Sequence, residues 1–181
     1  MKLIRRKNNV LICLMLMTLA SGILCGEVKA QTPAQDCGNL NGDAAIVACN
    51  EAIRLNPKDA GAYLNRGVEW SAKGDNDRAI ADFNEAIRLN PQYANAYYNR
   101  GNAWSAKGDK DRAIADFNEA IRLNPKDADA YYNRALYWEF KNDLAQALTD
   151  FRNFARLNPN DSDGPKAIQR IENKIDAKKG R

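Results

Sequence analysis

Residues 94–127, ANAYYNRGNAWSAKGDKDRAIADFNEAIRLNPKD, form a 34-residue unit, and 60–93 and 128–161 on either side are versions of the same unit. Aligned without a gap, the first two copies agree at 27 of 34 positions. A period of this length points to stacked helical hairpins, because one such unit cannot bury its apolar face alone and must lean on the next. The chain is therefore expected to be all-α, a short α-α superhelix built from three helix hairpins.

Each copy reads as two amphipathic helices. In the middle copy Tyr97, Gly101 and Trp104 recur at helical spacing, Gly108 offers a left-handed end to the first helix, and Asp109 or Asp111 can cap the second. The second helix presents Ala113, Phe117 and Ala120 at steps of four and three; Pro125 ends it, and Asp127 can cap the helix that follows. Small residues at Gly101, Ala113 and Ala120 let backbones approach, while Tyr97, Trp104 and Phe117 fill the remaining space. On this reading the stripe of Trp70, Trp104 and Trp138 belongs to the core.

Gly67, Trp70, Ala79, Phe83, Ala86 and Pro91 in the first copy, their equivalents in the second, and Tyr131, Ala135, Trp138, Ala147, Phe151 and Pro159 in the third resemble the tetratricopeptide repeat. The likeness spans the three units, 102 of 181 residues. Phe154 departs from it, standing where the other copies have Ala86 and Ala120, and suggests that the third repeat meets a different neighbour.

The first 30 residues have another character. Lys2, Arg5, Arg6 and Lys7 precede an apolar stretch over 10–24, and Val28-Lys29-Ala30 supplies small residues ahead of a cleavage site, as in a secretory signal peptide cut after Ala30. An uncleaved anchor is the competing reading, although the apolar run is shorter than the ~20 residues a spanning helix needs. Leu24 before Cys25 disfavours a lipid-modified cysteine. Of 27 basic and 23 acidic residues, five and one lie in this segment, leaving 22 of each. The expected secreted or periplasmic chain is thus neutral, with no general electrostatic case for nucleic acid or for a membrane surface after cleavage.

Two cysteines remain, Cys37 and Cys49, and in an oxidising compartment they are expected to form a disulfide worth roughly 2 to 3 kcal/mol. They lie in an N-terminal half-repeat over 31–59, in which Ala45, Cys49, Ala52 and Pro57 fall one period before Ala79, Phe83, Ala86 and Pro91. Residues 31–35 are expected to be flexible. The segment from Asp36 to Leu40 stands in for the missing first helix, with the disulfide stapling it over an open apolar end. At the other terminus, 162–181, Ile168, Ile171 and Ile175 at helical spacing describe a capping helix with a polar back.

The chain contains no histidine, and it shows no Gly-rich phosphate loop. It offers no recognisable constellation for nucleophilic, metal or nucleotide chemistry. The expected function is binding without catalysis, and no cofactor is called for. Differences between near-identical copies are more informative. Gly61/Asn95, Leu64/Tyr98 and Val68/Asn102 differ along one stripe of the first helix, although drift at exposed sites would also produce this.

In tetratricopeptide arrays the first helices line a concave groove, so the resemblance implies a partner-binding groove lined by Leu64, Asn65 and Val68, by Asn95, Tyr98, Asn99 and Asn102, and by Asp129, Tyr132, Asn133 and Leu136. Asparagine amides can pair with an extended peptide backbone, and tyrosines supply contact area at low entropic cost. The groove lysines with which some family members clamp a carboxylate are missing. A homo-oligomer joined through the ends of the array, with Phe154 and the last helix at the contact, is the alternative. Arg66 with Asp82, Arg100 with Asp116 and Arg134 with Asp150 recur as ion pairs, within one hairpin or between neighbours.

Overall fold

The computed structural model describes residues 32–180, and among these there are nine helices and no strand. The basic and apolar segment 1–30, with its expected cleavage after Ala30, lies outside the described residues. The helices are α1 (Pro33–Asn39), α2 (Gly42–Leu55), α3 (Ala60–Ala72), α4 (Asn76–Leu89), α5 (Ala94–Ala106), α6 (Lys110–Leu123), α7 (Ala128–Phe140), α8 (Leu144–Leu157) and α9 (Asp163–Lys179). The starts of α3, α5 and α7 recur at one repeat length, as do those of α2, α4, α6 and α8. Each helix packs on the one before it and the one after it.

The punctuation has a local cause. Asp75, Asp109 and Asp143 each accept a hydrogen bond from the backbone N–H three residues on, capping α4, α6 and α8. Gly74 and Gly108 take φ of +79° and +82° in the preceding turns, and Asn142 takes +62° at the same place in the third hairpin. Asp59 and Asp127 cap α3 and α7, but Tyr93 stands at the start of α5 and makes no side-chain cap.

The first two full hairpins close by fitting an aromatic ring against a glycine, and the third has Ala135 at that place. Phe83, Phe117 and Phe151 are fully buried. A Cβ on Gly67 would lie 2.6 Å from Phe83, and one on Gly101 would lie 2.9 Å from Phe117. All three tryptophans pack against the core, as the sequence leads one to expect, and each is half-buried there. Two of them carry a cation, the Arg78 guanidinium lying 3.6 Å from the Trp70 ring centre and that of Arg112 4.5 Å from the Trp104 one, whereas Gln146 stands at the equivalent position in the third hairpin.

The arginine–aspartate pairs join both a hairpin and its neighbour. Arg66 donates to Asp82 through Nε at 2.8 Å and Nη2 at 2.6 Å, and its Nη1 reaches Asn50 of the preceding hairpin at 2.7 Å. Arg100 repeats this with Asp116 and Asn84, and Arg134 with Asp150 and Asn118. The aspartates are buried and their lone pairs are met by bidentate donors, the condition under which an ion pair tolerates burial.

The two ends are closed differently. Thr32 and Gln35 form a capping box and Pro33 opens α1, so residues 32–35 are ordered, contrary to the flexible start expected. The Sγ atoms of Cys37 and Cys49 lie 2.07 Å apart, both residues are buried, and with Ala52 and Ala62 they make a small core against α3. At the far end α9 lays Ala167 and Ile171 on Ala135, Ala147 and Phe151. Phe154 is buried there, its ring 4.8 Å from that of Tyr132 and in contact range of Gly164. The different neighbour of the third repeat is thus α9. Phe154 is therefore not available as a contact with a second copy.

Candidate partner-binding face

The first helices α3, α5 and α7 lie side by side. Asn133 of α7 donates to the Tyr98 hydroxyl at 3.2 Å and to Asn102 Oδ1 at 3.1 Å on α5, and Ser105 and Tyr137 are hydrogen-bonded between the same two helices. This contact brings three of the expected groove residues, Tyr98, Asn102 and Asn133, into one polar cluster. The period that makes α3, α5 and α7 alike also sets their side chains in register, since positions 68, 102 and 136 are one repeat apart.

The remaining expected residues divide by exposure. Val68 and Leu136 stand open to solvent at 39% and 38%, bracketing the half-buried Asn102 at the equivalent position. Asn95 and Asp129 are exposed, Asn65 is half-buried, and Asn99 is half-buried with its amide turned back to the Asn95 carbonyl at 2.8 Å. Leu64 is buried at 7% in the core with Phe83 and Ala96, so it is not on the open face.

Both tyrosines do structural work. Tyr98 sits 6.0 Å from the Phe117 ring, and Tyr132 sits 5.5 Å from Phe151 as well as beside Phe154. Burial pushes the Tyr98 phenol above its ordinary pKa of 10.0, with hydrogen bonding to Asn102 acting against it, and the group is neutral near pH 7. Amides and tyrosine hydroxyls, flanked by two aliphatic side chains and Asp129, give this face hydrogen-bond donors and acceptors beside apolar surface.

Sequence reasoning missed Phe140, one turn beyond Leu136 on α7 and 67% exposed. Its signal was the contrast with Ala72 and Ala106 at the equivalent sites. It also missed Asn50, Asn84 and Asn118, whose 34-residue spacing could have been paired with that of the arginines. Among the described residues there is no group of three side chains able to hold a metal ion, and no helix is long and apolar enough to cross a membrane.

A family model described as tetratricopeptide repeat matches residues 71–128 and 105–162. No curated protein matches the chain significantly. Among solved structures, the crystal structure of MamA is similar at 25% identity over 74% of this chain and 78% of that one, with a TM-score of 0.69. The OM64 tetratricopeptide domain from Arabidopsis aligns at 25% identity over 62% and 93% of the two chains, TM-score 0.59. The first such domain of Spaghetti (RPAP3), solved with the HSP90 peptide SRMEEVD, aligns at 22% identity over 65% and 94%, TM-score 0.62, a likeness of fold.

Proposed function

The chain belongs to the tetratricopeptide-repeat family, and from that premise we propose that it is a non-catalytic module that binds an extended polypeptide along the face of α3, α5 and α7. The observation that carries this reading is the pairing of exposed Val68 and Leu136 around the Tyr98–Asn102–Asn133 cluster, on the stripe where near-identical repeats differ. Family membership supplies the general role in protein interaction, and the side chains supply the ligand's character. Amides offer donors and acceptors to a peptide backbone, while the two exposed aliphatic side chains offer apolar contact area. With Asp129 exposed and no lysine among the expected face residues, the ligand is neutral or basic; an acidic peptide such as the SRMEEVD solved with RPAP3 would not suit this face.

We further propose that the protein acts after export, its leader removed at Ala30 and its Cys37 and Cys49 oxidised. A photo-crosslinking residue at position 102, introduced into the full-length gene in the native cell, should yield discrete adducts with a polypeptide. Val68→Asp combined with Leu136→Asp should abolish them while leaving the melting curve within error, because both side chains are exposed. Adducts that persist undiminished in the folded double variant would rule out this face.

A further inference from the structure

The first hairpin is one helical turn short. Cys37 faces Cys49 across it, 12 residues on, whereas their counterparts in the next hairpin, Gly67 and Phe83, are 16 apart, as are Arg66 and Asp82 beside them. Counted back through that missing turn, Asp36 and Leu40 take the places of Arg66 and Trp70, and Ala44 and Ala48 take those of Arg78 and Asp82. The inner seam is filled by the Arg66–Asp82 pair and by the Arg78 guanidinium lying on the Trp70 ring. The first seam, between α1 and α2, has none of these groups. It is left as a groove of about 530 Å³, with Leu40, Ala44 and Val47 along it and Asp36, Asp43 and Glu51 at its edges.

What the groove lacks, by comparison with its neighbour, is an aromatic ring bearing a cation. The same chain carries such a pair unburied. Phe140 has Lys110 Nζ 3.1 Å from its ring centre, and Phe140 and Val47, at 67% and 66%, are the two most exposed large apolar side chains among the described residues. One of them lies in the groove and the other is the ring.

We propose that the α1–α2 seam receives Phe140 and Lys110 of a second copy of the chain. The ring covers Val47 and Leu40 in place of the missing indole. The ammonium meets Asp36, since Asp43 already binds Lys73 and Glu51 binds Arg54. The two surfaces differ, so the contact is heterologous: each joined pair keeps one unused seam and one unused ring, and assembly is open-ended unless its rotation closes a ring. A contact centred on one side chain is small, so association is weak and depends on concentration. Phe140 lies one turn from Leu136 on α7, but the inference uses neither Val68 nor Leu136, the residues substituted to test the polypeptide-binding face, so the two readings can fail separately.

Sedimentation of the protein expressed from the full-length gene tests it. The average mass of the wild type should rise about two-fold or more with concentration, as a heterologous contact requires. Phe140→Ala and Val47→Asp should each remain monomeric while keeping their helicity, since both side chains are solvent-exposed. Mixed in equal amounts, the two variants should form a dimer and stop there, because one supplies the intact seam and the other the intact ring. A wild type that stays monomeric at every concentration overturns the proposal. So does association that survives either substitution, or loss of association that mixing does not restore. A crosslinker at position 47 that traps residues 1–31 of the same chain, or a foreign polypeptide, would assign the seam to that occupant instead.

Discussion

At the scale of single residues, the fold depends on what is missing at Gly67 and Gly101 and on what is paired at Arg66, Arg100 and Arg134. In an exposed helix, Gly→Ala is a gain in propensity. At Gly101 the added methyl would press on Phe117, which is fully enclosed and cannot retreat. Gly101→Ala should therefore destabilise the protein, by about 1 to 3 kcal/mol as overpacking does, measured by urea unfolding; a more stable variant would contradict the packing. Asp116 is buried against Arg100, and the Asp116 hydrogen bond raises the Arg100 pKa above its ordinary value, with burial opposing. Arg100→Leu or Asp116→Leu alone leaves a buried charge unpaired and should cost about 3 to 5 kcal/mol, whereas the double substitution should cost much less than the sum. An additive cycle would show that the pair is not coupled. Trp104, half-buried under Arg112, should tolerate truncation better than Phe117.

At the scale of elements, α9 is the piece with no repeat to copy, and it is held by charge as well as by Ile171. Glu139 of α7 accepts from Arg170 at 2.7 Å and from Lys174 at 2.7 Å. Burial by itself would raise the Glu139 pKa, but those two hydrogen bonds outweigh it and hold the carboxylate below its ordinary 4.5. A lowered folded value means that the unfolded chain binds the proton more readily. The stabilisation is therefore complete above the ordinary value and lost as pH falls through the depressed one. Amide exchange in α9 should quicken over that acid window in the wild type. In Glu139→Gln it should already be faster at pH 7 and should show less of the acid increment. An α9 with the same pH profile in both proteins would exclude the carboxylate as the docking contact. At the other end, the short α1 is made by Thr32, Pro33 and Gln35, a start signal that outweighs the expectation of a loose leader junction.

At the scale of the whole molecule, stability is a sum of repeats and the interfaces between neighbours, so damage stays local. Reducing the Cys37–Cys49 bond should raise amide exchange in α1 and α2 while leaving α7 to α9 unchanged; protection lost evenly along the array would refute that independence. Non-reducing mass analysis should first find the pair joined. The 34-residue period, the Asp caps and the Gly turns were legible in order along the chain, because each depends on residues within one hairpin. Part of the candidate face was marked too, by the difference between the first two repeats at Val68 and Asn102. Leu64 was misplaced because a change between repeats marks a buried neighbour's repacking as readily as a ligand. That Trp104 meets the core on one side only was not legible, because an aromatic at helical spacing carries no record of the arginine that lies against it. The amino-acid order thus determined hairpins, their number and their caps, since these are set by propensity and by contacts a few residues apart. Which side chains remain open to a partner was decided only when α1, a turn short, and α9, with Glu139 beneath it, closed the two ends, because exposure depends on residues distant in the chain.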